Sequence, residues 1–328
     1  MKAILYESYG SPDILRLKDV EKPVPKEGEV LVKVVAASAN PLDWHLMRGE
    51  PFIARLIGGL RRPKNPKLGA DLAGRVEGLG KNAGEFKIGD AVFGSTEISE
   101  LGAFGEWTCI PEKLLVLKPA KLSFEEAAAV PVAAYTALQG LRDKGQIKPG
   151  QKVLVNGASG GVGHFAVQIA KAYGTEVTGV CSKRNLDLVR SIGADHVIDY
   201  TKEDFTRGGK RYDLVFDAVG NLSIADFRRV LNRSGIGSVA GFTSLSLLFQ
   251  TAFLGACVSL VGKKKIGLMK TAEANQKDLL FLKNLLETGK IKPVIDRTYP
   301  LNETSEAIRY LETSRARGKV IVRIGDEK

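Results

Sequence analysis

The stretch that decides the fold reads Val153-Leu-Val-Asn-Gly-Ala-Ser-Gly-Gly-Val-Gly163. An apolar run ends in a glycine-rich turn, and an apolar stripe at helical spacing follows up to Gly174. Such a turn directs several backbone N–H groups outward at a helix N-terminus, where a pyrophosphate can bind. In the G-x-G-x-x-G frame, the three key positions are Ala158, Gly160 and Gly163. The order of strand, turn and helix therefore predicts a dinucleotide site.

Around this turn, apolar strands alternate with amphipathic helices, which indicates a parallel sheet with crossover helices. We predict an α/β domain at residues 125–265, doubly wound around a six-stranded parallel sheet. Its strands are predicted at Lys152–Asn156, Glu176–Cys181, His196–Asp199, Asp213–Asp217, Gly237–Gly241 and Cys257–Val261.

The two ends of the chain have a different pattern. The first part contains short predicted strands separated by glycine turns, such as Glu29–Ala36 and Trp107–Ile110. The last part is predicted to contain a helix at Gln276–Glu287 and a closing strand at Lys319–Ile324. We predict that this tail returns to the first part, so that residues 1–124 and 266–328 form one domain.

The end of the second predicted strand selects between the two nicotinamide dinucleotides. An NAD site usually has Asp or Glu there, which accepts hydrogen bonds from the ribose. This chain instead has Ser182-Lys183-Arg184, with no acid until Asp187. A hydroxyl and two cations attract a 2′-phosphate, which a carboxylate would repel. A plain solvated basic turn is the alternative, but cations are unfavourable at a helix N-terminus. The sequence predicts NADPH.

Composition is that of a soluble globular protein, with 44% hydrophobic and 26% charged residues. The net charge of +11 permits an anionic partner, although most Lys and Arg residues are dispersed among acids. Three separated cysteines argue against a disulfide framework, and the N-terminus lacks the apolar core of a signal peptide. We expect a cytoplasmic protein.

One long stretch, Thr243–Gly262, contains no charged residue. Its serines, threonines and glutamine dilute its hydrophobicity, so we interpret it as a buried sheet edge or subunit contact rather than a membrane span. Pairing two such edges would satisfy their backbone groups and bury apolar side chains. This predicts a homodimer without integral membrane contact.

Five blocks carry a family resemblance: Asn40-Pro-Leu-Asp43, Leu68-Gly-Ala-Asp71, Gly102-Ala-Phe-Gly-Glu106, Val130-Pro-Val-Ala-Ala-Tyr-Thr136 and Arg317-Gly-Lys319. Together with the glycine turn, they resemble the quinone oxidoreductase branch of the medium-chain dehydrogenase/reductase superfamily. The resemblance implies a GroES-like β domain followed by a Rossmann domain, over essentially the whole chain.

Two positions depart from the zinc alcohol dehydrogenases of that superfamily. Asn40 occupies the slot of a catalytic Cys, and Ala70 occupies the slot of a His. Asn and Ala supply neither thiolate nor imidazole, so the usual catalytic zinc site cannot form. We expect no metal.

The resemblance also implies roles for individual residues. Asn40 and Pro41 are expected beside the nicotinamide ribose and the substrate, and Thr136 on the nicotinamide side. Asn40, the ribose hydroxyls and His45 are candidate hydrogen-bond donors to the substrate oxygen, which makes Asn40 and His45 the candidate catalytic residues. The alternative for His45 is that it only shapes the pocket. Further cofactor contacts are expected from Ser159, Gly160, Gly161, Val162, Ser182, Lys183, Arg184, Tyr200, Ala218, Val219, Phe242 and Lys319.

These features predict an NADPH-dependent, zinc-independent reductase of quinones or α,β-unsaturated carbonyls, because electron-poor acceptors need no metal to accept hydride. One alternative is an enoyl-thioester reductase, for which the basic segment Arg55–Lys67 would bind a long anionic substrate. Another is a cofactor-binding protein that binds RNA or, through Lys263–Lys265, an anionic membrane surface. Nucleic acid is the weaker partner, because no aromatic-rich basic motif is present.

Overall fold

The computed structural model describes residues 1–325, without the side chains of residues 57 and 261. The chain forms two units. Unit 1 consists of Met1–Val132, Ala274–Glu287 and Pro293–Lys328, and unit 2 of Ala133–Glu273 and Thr288–Lys292. The main divisions lie at 132/133 and 273/274, compared with 124/125 and 265/266 in the sequence prediction.

Unit 1 is built on a mostly antiparallel sheet around one long central strand, whose valines and alanines are buried. Its first elements are β1 (Lys2–Leu5), β2 (Arg16–Asp19), β3 (Glu29–Ala39), α1 (Pro41–Arg48), α2 (Ile53–Gly58), β4 (Asp71–Leu79), β5 (Ala91–Ser95), β6 (Trp107–Pro111), β7 (Leu115–Leu117) and α3 (Phe124–Ala128). Strand β3 pairs with both β4 and β6, and each of the three carries residues of the core.

Unit 2 contains a six-stranded parallel sheet, as predicted. After α4 (Pro131–Gln139), its elements are β8 (Lys152–Asn156), α5 (Gly163–Ala172), β9 (Glu176–Cys181), α6 (Leu186–Ser191), β10 (His196–Asp199), β11 (Tyr212–Asp217), α7 (Ile224–Val230), β12 (Leu231–Val239), α8 (Leu245–Val261) and β13 (Lys265–Leu268). The strand order is β10-β9-β8-β11-β12-β13. The order reverses between β8 and β11, and in such sheets this switch point is where ligands bind.

The tail adds α9 (Gln276–Glu287), β14 (Ile295–Pro300), α10 (Thr304–Glu312) and β15 (Lys319–Arg323). Strand β15 pairs antiparallel with β3, with Val320 opposite Ala39. The predicted return of the tail is therefore confirmed, and it brings Lys319 to the end of β3.

The prediction of the last strand of the parallel sheet, at Cys257–Val261, is wrong. Residues 257–261 form the end of helix α8, and the sixth strand is Lys265–Leu268. An uncharged apolar run has no polar periodicity to separate helix from strand. The helix start is encoded locally, since Ser244 accepts a hydrogen bond from Leu247 N. Over residues 1–325, the structure has no helix of the length and hydrophobicity that a bilayer crossing requires.

Candidate functional site

Two glycines of the turn after β8, Gly160 and Gly163, have different roles. A Cβ on Gly163 would lie 2.0 Å from Gly157 O, so the start of α5 can approach the turn only without a side chain. A Cβ on Gly160 would meet only Gly157 O, at 3.4 Å, which is an ordinary contact. The protein's own packing therefore does not require glycine at position 160. A phosphate bound at the turn would require glycine at position 160, because a side chain there would occupy its space. The turn therefore fits the predicted dinucleotide.

Next to this turn lies a buried residue that the sequence prediction missed. Asn185 Nδ2 donates a hydrogen bond of 2.8 Å to Ser159 Oγ, which ties the glycine turn to the segment after β9. Asn185 Oδ1 is also buried, and it has no hydrogen-bond partner among the described residues. A buried acceptor of this kind is costly unless something donates to it. Position 185 follows the basic residues directly, but no pattern in the sequence indicates its burial.

The predicted phosphate-binding residues gather at the carboxyl ends of β9 and β10. Cys181 pairs with Asp199, and Tyr200 N donates to Cys181 O at 3.2 Å. Tyr200 is 58% exposed, Lys183 and Arg184 are exposed, and Ser182 is partly exposed. The arrangement leaves two cations, a hydroxyl and a phenol accessible to a phosphate.

The loops after β11 and β12 complete the same edge of the sheet. Asp217 accepts hydrogen bonds from Val219 N, Gly220 N and the side chain of Asn156. Burial raises the pKa of Asp217, while these donors favour its charged form. A Cβ on Gly220 would lie 2.4 Å from Phe242 Cα, so the two loops are in contact. Ala218, Val219 and Phe242 thus lie together, held by an Asp that the sequence prediction did not name.

Unit 1 contains a separate cluster of buried polar groups around Asn40. Lys319 Nζ donates to Asn40 Oδ1 at 2.6 Å and lies 3.5 Å from Asp71 Oδ2. Ser38 Oγ donates to the same oxygen of Asp71 at 2.8 Å, and Val132 N donates to its other oxygen. Lys319 is predicted to contact the cofactor, and in the structure it is buried in this cluster with its Nζ donating to Asn40.

These contacts limit what Asn40 can do. Asn40 Nδ2 donates to Asp71 Oδ2 at 2.9 Å and to Ser38 O at 3.2 Å, which engages both amide hydrogens. Oδ1 accepts from Lys319 and has a second lone pair. The geometry therefore favours Asn40 as an acceptor, and it does not fit the expected donor role toward a substrate oxygen.

Asp43 adds a second buried carboxyl group to this cluster. It accepts hydrogen bonds of 2.8 Å from Asn40 N and from Gly69 N. Burial raises the pKa of Asp43 to about 7, the two backbone donors oppose the rise, and the charge of Asp71 adds to it. Burial also lowers the pKa of Lys319, although both carboxylates act against that shift. Two acids and one cation are thus held together out of water.

His45 lies on α1, partly exposed, with its ring 3.6 Å from that of Trp44. Its Nδ1 is 2.7 Å from Glu50 O. A carbonyl can only accept, so Nδ1 carries the hydrogen, and in the neutral ring Nε2 is an acceptor. Burial lowers the pKa of His45, which favours this neutral form. The predicted donor role of His45 therefore requires a protonated imidazole.

The remaining predicted residues lie at helix starts or on helices. Pro41 opens α1, Gly161 and Val162 precede α5, and Thr136 lies half-buried on α4. Ala70 is buried in the core of unit 1. Within residues 1–325, no group of three or more His, Cys, Asp or Glu side chains is arranged to hold a metal ion.

Two family descriptions match the chain. The alcohol dehydrogenase GroES-like domain matches residues 26–120, and the zinc-binding dehydrogenase family matches residues 192–322.

Individual relatives cover nearly the whole chain. A 2-methylene-furan-3-one reductase of Solanum lycopersicum is 36% identical, covering 98% of this chain and 79% of the relative. A chloroplastic NADPH-dependent alkenal/one oxidoreductase of Arabidopsis thaliana is 35% identical, with the same coverage. The solved structure of a quinone oxidoreductase from Coxiella burnetii is 31% identical with a TM-score of 0.86, covering 98% of this chain and 99% of that one.

Proposed function

This chain belongs to the quinone oxidoreductase branch of the medium-chain dehydrogenase/reductase superfamily, and we propose that it reduces quinones or α,β-unsaturated carbonyls with NADPH. The observation that carries the proposal is the carboxyl edge of the parallel sheet. There, a glycine turn with space at Gly160 lies in the same sheet edge as Ser182, Lys183 and Arg184. The relatives named above act on enones and a quinone, and one uses NADPH.

The residues have distinct parts in this proposal. NADPH supplies the hydride when it is bound. The turn at Ser159–Val162 binds the pyrophosphate, and the three residues after β9 bind the 2′-phosphate. Asn40, oriented by Lys319, accepts a hydrogen bond from the nicotinamide ribose beside Pro41. Thr136, Tyr200 and Phe242 are proposed as further contacts of the cofactor.

The proton for the reduced acceptor comes from solvent in this proposal. Both hydrogens of the Asn40 amide are engaged, and neutral His45 presents an acceptor at Nε2. An electron-poor acceptor tolerates this, because its oxygen becomes basic as the hydride arrives. A saturated alcohol does not, because its oxidation needs a base or Lewis acid at the oxygen. Asn40 and Ala70 provide neither in the slots where zinc dehydrogenases have Cys and His.

The test is NADPH oxidation against a panel of quinones, alkenals, cyclic enones and enoyl thioesters, with NADH as the matched cofactor. We expect turnover with a quinone or an enone and negligible NADP⁺-driven oxidation of simple secondary alcohols. Chelators should leave the activity intact, since metal independence is part of the proposal. Fast alcohol oxidation, or one tightly held zinc lost together with activity, would overturn it. An enoyl thioester as the best acceptor would select the alternative substrate class.

Self-association and a cytoplasmic location stay predictions. Strand β13 is one of the two edge strands of the parallel sheet, and the N–H of its Ile266 already donates to Ser259 Oγ. An edge-to-edge homodimer would have to pair around this residue. Light scattering at micromolar concentration tests it, and a monomer would remove the prediction.

A further inference from the structure

Helix α8 packs on β13 through small and polar residues. Thr251 is 3% exposed, and a Cβ on Gly255 would lie 2.8 Å from Ile266 O. Ser259 Oγ accepts from Ile266 N at 3.0 Å and donates to Gly255 O at 2.7 Å. The side of α8 that packs on the sheet is therefore small and polar at these three positions, and Val258 packs there against the core.

The outward side of α8 is apolar. Five large hydrophobic side chains are exposed on it, and we call them the outer face of α8: Leu245 at 48%, Phe249 at 58%, Phe253 at 69%, Leu254 at 50% and Leu260 at 86%. The rings of Phe249 and Phe253 stack on one another with centroids 6.5 Å apart. A contiguous exposed apolar patch of this kind marks an interaction site.

The stretch of chain that contains this face carries only basic charges. From Phe227 to Ala272 the chain has seven Lys and Arg residues and no Asp or Glu. We call Arg228, Lys263, Lys264 and Lys265 the basic rim, because the three lysines follow α8 directly and Lys264 Nζ donates to Arg228 O. Burial lowers the pKa of Lys264, and the positive charges of Arg211 and Arg228 lower it further. In the described part of the chain, no acid pairs with Arg228 or with any of these lysines.

We propose that the outer face of α8 and the basic rim bind the surface of an anionic lipid bilayer. Apolar side chains on a helix enter the boundary between headgroups and acyl chains, and adjacent lysines bind the lipid phosphates. The attachment is peripheral, with α8 lying along the membrane. It concerns a different surface from the dinucleotide site and does not depend on the reductase activity.

Two other occupants fit this surface less well. A symmetric dimer through this patch would bury its apolar side chains against a second copy, but the patch carries no acid with which the basic rim of the second copy could pair. The net charge of +11 on each chain also opposes such a pairing. RNA would satisfy the basic rim but would leave the five apolar side chains of the outer face in water. A lipid surface complements both parts at once.

The experiment is co-sedimentation of the full chain with vesicles of phosphatidylcholine alone, or with about 30% phosphatidylglycerol to give an anionic surface. The exposed thiol of Cys257 on α8 accepts a polarity-sensitive dye, since Cys181 is buried and Cys109 partly buried. We expect binding to the anionic vesicles only, weakening with salt, together with a blue shift of the dye.

Two variants separate the contributions. Phe253→Gln/Leu260→Gln removes apolar area, and Lys263→Gln/Lys265→Gln removes charge. Each should weaken binding to anionic vesicles by about tenfold or more. The matched controls are Val24→Gln/Ile88→Gln, at positions 83% and 71% exposed, and Lys113→Gln/Lys290→Gln, with exposed lysines elsewhere. The controls should bind like the parent chain.

Several results would overturn the proposal. One is no binding to anionic vesicles at low salt, and another is equal binding by the parent chain and both α8 variants. A dimer that dissociates in Phe253→Gln/Leu260→Gln, without vesicle binding, would assign the face to a second copy. Binding to heparin or RNA but not to vesicles, lost only in the lysine variant, would assign the rim to a polyanion.

Discussion

The two polar regions of this molecule are built in opposite ways. In unit 2, the segment after β9 carries exposed cations at the same sheet edge as the glycine turn, and in the loop after β11 the N–H groups of Val219 and Gly220 donate to Asp217. In unit 1, Asn40, Asp43, Asp71 and Lys319 are each at most 3% exposed and bond to one another. The cations of the first region are exposed to solvent, whereas the polar groups of the second are buried and largely satisfied by one another.

This difference separates buried charges, which contribute to the stability of the fold, from exposed charges, which are available for binding. An exposed cation such as Lys183 is solvated without a partner, so its removal changes little in the folded chain. A buried cation such as Lys319 must be paired, because an uncompensated buried charge costs several kcal/mol. Substitution of the buried charges in unit 1 should therefore act first on stability, and substitution of the exposed cations after β9 on the affinity for NADPH.

The largest expected effect is that of Lys319→Met. It removes the only cation in contact with Asp71 among the described residues and leaves that carboxylate buried beside Asp43. We expect a loss of about 3–5 kcal/mol in the free energy of unfolding. Urea unfolding followed by circular dichroism measures it.

The matched control is the double variant Asp71→Asn/Lys319→Met, which removes both charges of the pair. It should recover part of the lost stability, since no unpaired charge remains. A Lys319→Met protein as stable as the parent chain would show that this cluster is not a paired-charge network.

Within unit 2, alanine substitutions at the two glycines of the turn should separate an effect on stability from an effect on NADPH affinity. Gly163→Ala places a Cβ 2.0 Å from Gly157 O and should cost about 1–3 kcal/mol in stability. Gly160→Ala meets no such obstacle and should unfold like the parent chain within about 0.5 kcal/mol. Its NADPH affinity should nevertheless fall, because the methyl group occupies the space left for phosphate. Equal NADPH binding by Gly160→Ala would separate this turn from the pyrophosphate.

Removal of Lys183 and Arg184, the two cations after β9, should have a smaller effect. Lys183→Ala/Arg184→Ala should weaken NADPH binding by at least about tenfold, or about 1.4 kcal/mol, with little change for NADH or for unfolding. Lys81→Ala/Lys113→Ala changes the net charge equally at exposed positions elsewhere and should leave the affinity unchanged. Fluorescence titration gives both dissociation constants. If the parent chain binds NADPH and NADH equally, the phosphate assignment is lost.

Local patterns made the parallel sheet predictable. Strands β8, β9 and β10 have their predicted bounds, because apolar runs, glycine turns and helical stripes follow one another in the chain. The strand at residues 257–261 failed because an uncharged run fits helix and strand equally. The contact of Lys319 with Asn40 joins residues 279 positions apart, and no local pattern encodes it. Likewise, the burial of Asn185 and Asp217 depends on packing that a single sequence does not reveal.

The smallest effect concerns His45, at the border between the buried cluster and solvent. Its Nδ1–H is used by Glu50 O, so a donor at Nε2 exists only when the ring is protonated. Burial lowers the pKa of His45, and the protonated form is therefore populated mainly below the ordinary value near 6.5. We expect His45→Phe to lower kcat by about tenfold at most, and only toward acid pH, with the ratio approaching one above neutrality. The NADPH affinity should be unchanged, which steady-state kinetics with parallel titrations would check.

His45→Gln is the matched control, because its amide donates at every pH and should flatten the pH profile of kcat. A loss in His45→Phe that does not vary with pH would mean that the imidazole shapes the pocket. An unchanged kcat at every pH would leave His45 with its bond to the carbonyl of Glu50 as its only role.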